Sequence, residues 1–344
     1  MAVLHQALPI LHRRDAVGTH TLHVRDLLRQ HGVDSDIFVG ITDRETVADT
    51  RPIADYDGGP VVYQYAVSSA IVAELCARAD VVAINSHNST PAHHFASWDP
   101  ALVGATSTSG RELRILRPNV RLAVADSTYN AQQLRAYGYD RSTVVPVLFD
   151  APGTDGAAGE VDEHQWLFVG RIVPNKAQHD LVLGLAAARR HFDPRATLVL
   201  AGATSSVPYA AALRRLVDRL GLAGAVTVTG PLADDQLRHL YATSGVYVSA
   251  SDHEGFGVPL VEAMASGLPV VAYGAAAVAE TVADGGIVLD MKRPLDLAAA
   301  AWETTRPSRR QKLIAAGHRR AARFALERTR LEMWTALEPV VADR

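Results

Sequence analysis

The chain has 344 residues, which a prior of roughly 150 residues per domain divides into two domains. A hydrophobic content of 48%, a charged content of 21% and a mean hydropathy of +0.03 exclude a disordered or low-complexity chain. The net charge of -3 and pI near 6.5 lack the basic excess of a nucleic-acid binder.

Taken from the N-terminus, "MAVLHQALPILHRRD" has no basic region ahead of its apolar stretch, and no apolar run reaches the roughly 18 residues of a membrane span, so a cytoplasmic protein is expected. Residues 1–150 hold 13 arginines, no lysine and 16 acidic residues, a balance that suggests no basic membrane-docking surface. In this half the strand candidates are "AVLHQAL", "DIFVG", "VVAIN", "LAVA" and "TVVPVL". The clearest helix is "HTLHVRDLLRQHG", with Leu22, Val24, Leu27 and Leu28 on one stripe and Gly32 as its stop. The stretch "HRRDAVGTH" places Gly18 in a strand-to-helix loop, with the helix expected to begin near His20 and His20 facing the ligand end of the sheet. His20 and His23, three apart, have the spacing of two metal ligands, but no third is evident and no metal site is expected. The pairs Asp34/Asp36 and Asp55/Asp57 fall before a strand and in a polar turn, and both read as solvated loops. The single cysteine, Cys76, excludes an internal disulfide and suits core packing.

In "VVAINSHNSTPAHHF" a strand ends at Asn85 and presents His87 and Asn88 in a loop, with Pro91 opening a helix. That is where a parallel sheet offers ligand groups; the alternative is a surface histidine at the start of a helix with His93 and His94. "AVADSTYNAQQLRAYG" puts Asp126, Ser127 and Asn130 at a second such junction, with Ser127 or Thr128 as a helix cap.

Residues 150–160, "DAPGTDGAAGE", have no periodicity and read as a linker. After them "QWLFVG", "ATLVLAG", "AVTVTG", "GVYVSA", "LPVVAY" and "GGIVL" alternate with helices such as "PYAAALRRLVDRLG". The expected division is a domain at 1–150, a linker at 151–162, a domain at 163–322 and a terminal helix at 323–344 with Leu331, Trp334, Leu337 and Val340 on one face. In doubly wound sheets ligands sit at the carboxyl ends of the strands. Arg171 directly follows a strand and Lys176 lies five residues on, one of only three lysines among 34 basic residues. A compact ammonium and a planar guanidinium both suit phosphate oxygens. In "SDHEGFGVPLVEAMASG" a glycine loop runs into a helix N-terminus, a ready anion site, with Glu254 before it and Glu262 one turn inside. Carboxylates suit hydroxyls, so the pattern reads as an anion in the middle and a polyol at each end, as in a sugar nucleotide.

Glu254 and Glu262, with seven residues between them in "EGFGVPLVEAMASGLPVV", closely resemble the signature of the retaining GT-B-fold glycosyltransferases of family 4, glycosyl transferases group 1. "VGRIVPNK", "LVLAGA", "VTVTGPLADDQLRHLYATSGVYVSAS" and "AAVAETVADGG" follow that family's order, so the resemblance covers residues 164–300. It implies an α/β GT-B fold of two doubly wound Rossmann-like domains facing a central cleft: an N-terminal acceptor-binding domain, a C-terminal nucleotide-sugar domain, and a terminal helix packing back on the N-terminal domain. It implies a hexosyltransferase of carbohydrate biosynthesis that moves a sugar, with retention and without metal or cofactor, from a UDP-, GDP-, ADP- or dTDP-linked donor to a sugar, glycoside or small-metabolite hydroxyl. No nucleic-acid partner is implied.

By that resemblance Arg171 and Lys176 bind the donor diphosphate, Glu254 orients the donor sugar beside Gly255, Phe256 and Gly257, the amides of Val258 and Leu260 face phosphate, Glu262 holds the ribose, and Gly230 and Leu232 cradle the base. Gly18 approaches the phosphates, and His20, His87 and Asn88 line the acceptor side, His87 near the reacting sugar. The family usually has two adjacent glycines where this chain has Val17 and Gly18. A non-catalytic sugar-nucleotide-binding subunit and a sugar-nucleotide 2-epimerase of the same fold are the alternatives. No G-x-G-x-x-G after a strand, G-x4-G-K-[ST] or G-x-S-x-G occurs, which argues against dinucleotide oxidoreductase, P-loop kinase and hydrolase readings.

Overall fold

The computed structural model describes residues 2–13, 15–78, 80–151 and 159–342, so most of the expected linker lies outside the described residues. The chain forms two compact units. One comprises Met1–Ala92, Leu102–Asp150 and Ala325–Arg344, the other His93–Ala101 and Ala151–Phe324.

The first unit is built on seven strands: β1 (His5–Ile10), β2 (Ile37–Ile41), β3 (Arg51–Pro52), β4 (Val61–Tyr65), β5 (Val81–Ser86), β6 (Leu122–Ala125) and β7 (Thr143–Val144). All neighbours are parallel, in the order β3-β2-β1-β4-β5-β6-β7. The five sequence-expected strands are present. β7 stops after two residues because Pro146 has no amide to continue the ladder, although Val145 N still donates to Ala125 O at 3.0 Å. β3 and β4 were not expected. β4 is central, between β1 and β5, and completely buried; Gln64 in its middle breaks the apolar pattern but is satisfied by Gln6, whose Oε1 accepts from Gln64 Nε2 at 2.7 Å.

The first helix runs Ala16–Gln30, not from His20, because Asp15 caps it: its carboxylate accepts from Gly18 N at 2.6 Å. Gly18 is therefore in the first turn and not in the loop. A Cβ there would lie 1.8 Å from His12 O, so the glycine is required by the chain's own close approach. The helix buries Val24, Leu27 and Leu28 against Leu4, Val62 and Val124. The C-terminal helix, Leu326–Ala342, joins this cluster through Met333, Ala336, Leu337 and Val340. Its expected stripe is corrected at one position: Leu331 is exposed, and Met333 takes the inward place. Trp334 stacks on His31 with ring centroids 3.7 Å apart. Cys76 is half-buried against the core, as expected.

The second unit carries β8 (Asp162–Val169), β9 (Thr197–Ala201), β10 (Val226–Gly230), β11 (Ser244–Ser249), β12 (Val270–Tyr273) and β13 (Ile287–Leu289), the six strands read from the sequence. They are parallel in the order β10-β9-β8-β11-β12-β13. Val246 and Val248 of β11 share one core with Trp166 and Phe168 of β8, over which Leu181, Leu185 and Leu297 pack. The strand order reverses between β8 and β11. Their connections leave toward opposite faces, which opens a crevice at their carboxyl ends.

Candidate active site

The two exits of that crevice carry the second-unit residues expected to bind ligand. Leaving β8, Arg171 is exposed and hydrogen-bonds through its side chain to none of the described residues, while its carbonyl accepts from Gln178 Nε2 at 2.8 Å. A 3-10 turn, Pro174–Lys176, then leads through Ala177, buried and left-handed at φ 49°, into the helix Gln178–His191. Leaving β11, the loop of residues 250–257 is pinned along its length. Asp252 N donates to Asn175 O at 2.8 Å, Ala277 N to Glu254 O at 3.2 Å and Thr281 Oγ1 to Phe256 O at 2.7 Å. The Phe256 ring is buried edge-on to Phe324. The two exits meet where Lys176 Nζ donates to Glu254 Oε1 at 2.5 Å, with both side chains at least four-fifths buried. An ammonium has three N–H donors, so two remain for a ligand.

Gly257, at φ 90°, turns the loop into the helix Val258–Ala265. Among the described residues, the Gly257 and Val258 amides donate to no other group. The expectation for Leu260 is corrected: its amide donates to Gly257 O at 3.0 Å and is spent on the first turn. Pro259 has no amide hydrogen, so the anion-binding capacity of this terminus rests on Gly257 and Val258.

Glu262 lies one turn inside. The residue is half-exposed, but its carboxyl sits deep among protein atoms, and Oε2 accepts from Tyr241 Oη at 2.7 Å. Burial raises this carboxyl above the usual glutamate range, opposed by the Tyr241 hydrogen bond. Tyr241, fully buried in the helix Asp234–Thr243, was not singled out in the sequence, where it reads as an apolar core position. Gly230 ends β10 at φ 73°, its carbonyl accepting from Gly202 N at 3.0 Å, and Leu232 follows, half-buried.

Sequence reasoning also missed Lys292, in the turn after β13. Its Nζ donates to Asp180 Oδ2 at 2.7 Å, Asp252 Oδ1 at 2.6 Å and Ala250 O at 3.4 Å. The scarcity of lysine in this chain was the available signal. His253, next to Asp252 in the chain, is held neutral, pushed down to about 4 by burial, with the ring of His94 5.5 Å away.

In the first unit two of the residues expected on the acceptor side, His20 and His87, belong to internal hydrogen-bond networks. His20 has no exposed surface. Leu148 N donates to its Nδ1 at 3.0 Å, so the ring proton is on Nε2, 2.6 Å from the Asn85 amide. That contact closes as a hydrogen bond with the Asn85 oxygen turned toward the ring. Burial depresses His20 far below the usual histidine range and keeps it neutral. The expected ligand-facing His20 is thus corrected to a core residue. His23 instead pairs with Asp150 at 3.3 Å.

The His87 side chain is 2% exposed, with Nδ1 2.8 Å from Asp126 Oδ2 and Nε2 2.8 Å from Gln64 Oε1. The direction of this chain is fixed from its far end. Thr21 O can only accept, so Gln6 donates to it through Nε2 at 3.0 Å, Gln6 Oε1 accepts from Gln64, and Gln64 Oε1 accepts from His87 Nε2–H. Both ring nitrogens of His87 are hydrogen-bonded within the unit. Asn88 follows in the left-handed region at φ 71°. Ser127 caps the helix Thr128–Arg135, accepting from Asn130 N at 3.1 Å. Among the described residues, no group of three or more His, Cys, Asp or Glu side chains is disposed to hold a metal ion.

Residues 157–319 match the family described as glycosyl transferases group 1. That match takes in somewhat less than half of the chain and lies within the second unit. The chain is 34% identical over 237 residues to "D-inositol 3-phosphate glycosyltransferase" of Rhodococcus jostii (strain RHA1), an alignment covering 63% of this chain and 52% of that protein. The chain thus spans about half the length of the curated relatives it matches. Among solved structures it shares its fold with sucrose-phosphate synthase from Thermosynechococcus elongatus, at TM-score 0.75 and 20% identity over 99% of this chain and 100% of that one. It also shares it with Anabaena HepE in complex with UDP and glucose, at TM-score 0.70 and 19% identity over 98% and 100%. The GT-B fold expected from the sequence is the fold of this chain.

Proposed function

We propose that the protein is a retaining glycosyltransferase that moves a hexosyl group from a nucleotide-diphosphate sugar to an acceptor hydroxyl without a metal ion or other cofactor. The observation that carries this reading is the Lys176–Glu254 contact between the loops that leave β8 and β11, with Arg171 exposed in the first loop and the Gly257 and Val258 amides at the end of the second. A diphosphate is a dianion that develops charge as the glycosyl bond breaks. Arg171, the two remaining N–H donors of Lys176 and the helix N-terminus stabilise that charge, the task a divalent cation performs elsewhere.

Glu254, tied to Lys176 through Oε1, keeps Oε2 for a sugar hydroxyl and orients the ring against the phosphate. Front-side attack with the leaving phosphate accepting the proton then requires no protein nucleophile. Glu262 accepts from the ribose hydroxyls, and Gly230 and Leu232 border the base. The relative of Rhodococcus jostii is named for an inositol phosphate acceptor, and HepE was crystallised with UDP; both support a nucleotide-sugar donor and a polyol acceptor for this chain. Among the described residues no helix is long and apolar enough to cross a membrane.

The test is release of nucleoside diphosphate from UDP-glucose, GDP-mannose, ADP-glucose and dTDP-glucose in EDTA. Turnover of at least one donor, lost in Arg171→Ala, is the expected result. Binding without turnover of any donor would overturn the enzyme reading in favour of a sugar-nucleotide-binding subunit.

A further inference from the structure

Three cross-links join the two loops that leave β8 and β11. Asp252 N donates to Asn175 O, Lys176 pairs with Glu254, and Lys292 bridges Asp180 to Asp252. The third differs from the others in origin, because Lys292 belongs to neither loop. It reaches in from the turn after β13, at the edge of the sheet, and its ammonium lies 5.5 Å from the centre of the Tyr273 ring. Its acceptors sit on both arms: Asp180 in the first turn of the helix behind Lys176, and Asp252 and the Ala250 carbonyl just before Glu254. The three N–H donors of an ammonium are matched by those three oxygens.

We propose that Lys292 is a positioning residue that clasps the β8 and β11 loops together and so sets the separation of Lys176 and Glu254. The inference rests on the donor-site reading above but concerns a residue that touches no substrate in it. Burial disfavours the Lys292 ammonium, yet Asp180 and Asp252 outweigh burial and raise it above an ordinary lysine, so the clasp is charged at any physiological pH. Without it, Asp180 and Asp252 face each other as like charges, and the loops separate at the point where Asp252 N meets Asn175 O. A planar guanidinium at 292 keeps the charge and reaches the same carboxylates with a different angular spread.

The experiment compares the full chain with Lys292→Met and Lys292→Arg. Hydrogen exchange without ligand is read peptide by peptide. Lys292→Met is expected to speed exchange in residues 171–180 and 250–257 by about tenfold, with the rest of the second unit unchanged and Lys292→Arg restoring most of the protection. In donor hydrolysis with UDP-glucose and GDP-mannose as probes, kcat is expected to fall about tenfold in Lys292→Met while KM moves less than about threefold, and to recover in Lys292→Arg. Unchanged exchange in both loops, or uniform acceleration across the unit, would overturn the clasp. A wild-type protein that turns over neither probe counts against the transferase reading, and the exchange result then decides the clasp by itself.

Discussion

Lys176 and Glu254, 78 residues apart in sequence, form a 2.5 Å ion pair that closes the crevice between the two loops at the strand-order reversal. Glu254→Gln keeps a hydrogen-bonding group of the same size at the proposed sugar end and leaves Lys176 and Arg171, proposed to bind the diphosphate, unchanged. It is expected to bind UDP or GDP within about threefold of wild type while losing 100-fold or more, roughly 3 kcal/mol, in kcat for donor hydrolysis. Isothermal titration beside steady-state kinetics checks this; equal losses in both would place Glu254 in simple binding.

On the proposed reading, donor affinity is expected to depend on pH through Tyr241 and Glu262. Burial raises the Glu262 carboxyl, and the Tyr241 hydroxyl, donating to Oε2, opposes that by favouring the ionised form; Asp234 pushes in the same direction as burial. A ribose hydroxyl needs the ionised acceptor, so nucleotide affinity falls as pH falls through the Glu262 pKa. Tyr241→Phe removes a hydrogen bond that favours the ionised carboxylate and is expected to move that fall to higher pH. For the free protein the sign reverses: a carboxyl raised on folding adds stability below the ordinary glutamate range, lost as pH rises through the raised value. Titrations of UDP and GDP across pH 5 to 8 would show the shift, and superimposable profiles would count against the ribose contact.

Gly257→Ala is expected to cost about 1–3 kcal/mol in thermal or denaturant unfolding. The residue sits at φ 90°, and its new Cβ would lie 2.7 Å from Leu260 Cδ1, within the turn that frees the Gly257 and Val258 amides. Nucleotide affinity should fall along with stability.

The buried relay of the first unit is expected to behave as one unit energetically. Gln6→Leu leaves Gln64 Nε2 without its acceptor, and Gln64→Leu leaves His87 Nε2–H without one; each should destabilise by about 1–3 kcal/mol. The double substitution removes both ends of the Gln6–Gln64 bond and should cost less than the sum of the two, with a coupling of about 0.5–2 kcal/mol in a double-mutant cycle. Strict additivity would mean that the two amides do not share a bond in solution.

Much of the second unit was legible in the sequence because its six strands are apolar runs bounded by glycine, and the candidate ligand residues Arg171, Lys176 and Glu254 follow those strands closely. The first unit was less so. Its β4 is interrupted by Gln64, a polar residue whose burial makes sense only beside Gln6, 58 positions away. The start of the first helix turned on Asp15 as a cap, a choice between adjacent polar residues that periodicity does not make. His20 and His87 stand at sequence positions where ligand residues belong, and only the packed structure shows their nitrogens consumed by Leu148, Asn85, Asp126 and Gln64. Tyr241 and Lys292 were hidden for a related reason. Each acts through a residue far away in the chain, and a sequence pattern records the residue but not the distance.

The most direct test of the central claim is a thermal-shift titration of the full chain with UDP, GDP, ADP and dTDP in EDTA, repeated with Arg171→Ala and Lys176→Met. Ligand that binds only the folded state stabilises it by RT ln(1 + [L]/Kd), about 2.7 kcal/mol at a hundredfold excess over Kd. A nucleoside diphosphate bound at the β8/β11 reversal should raise the unfolding midpoint of the wild type by several degrees without metal, and both variants should lose most of that gain. No stabilisation by any of the four, or stabilisation that survives both substitutions, would contradict a nucleotide-diphosphate site at this crevice.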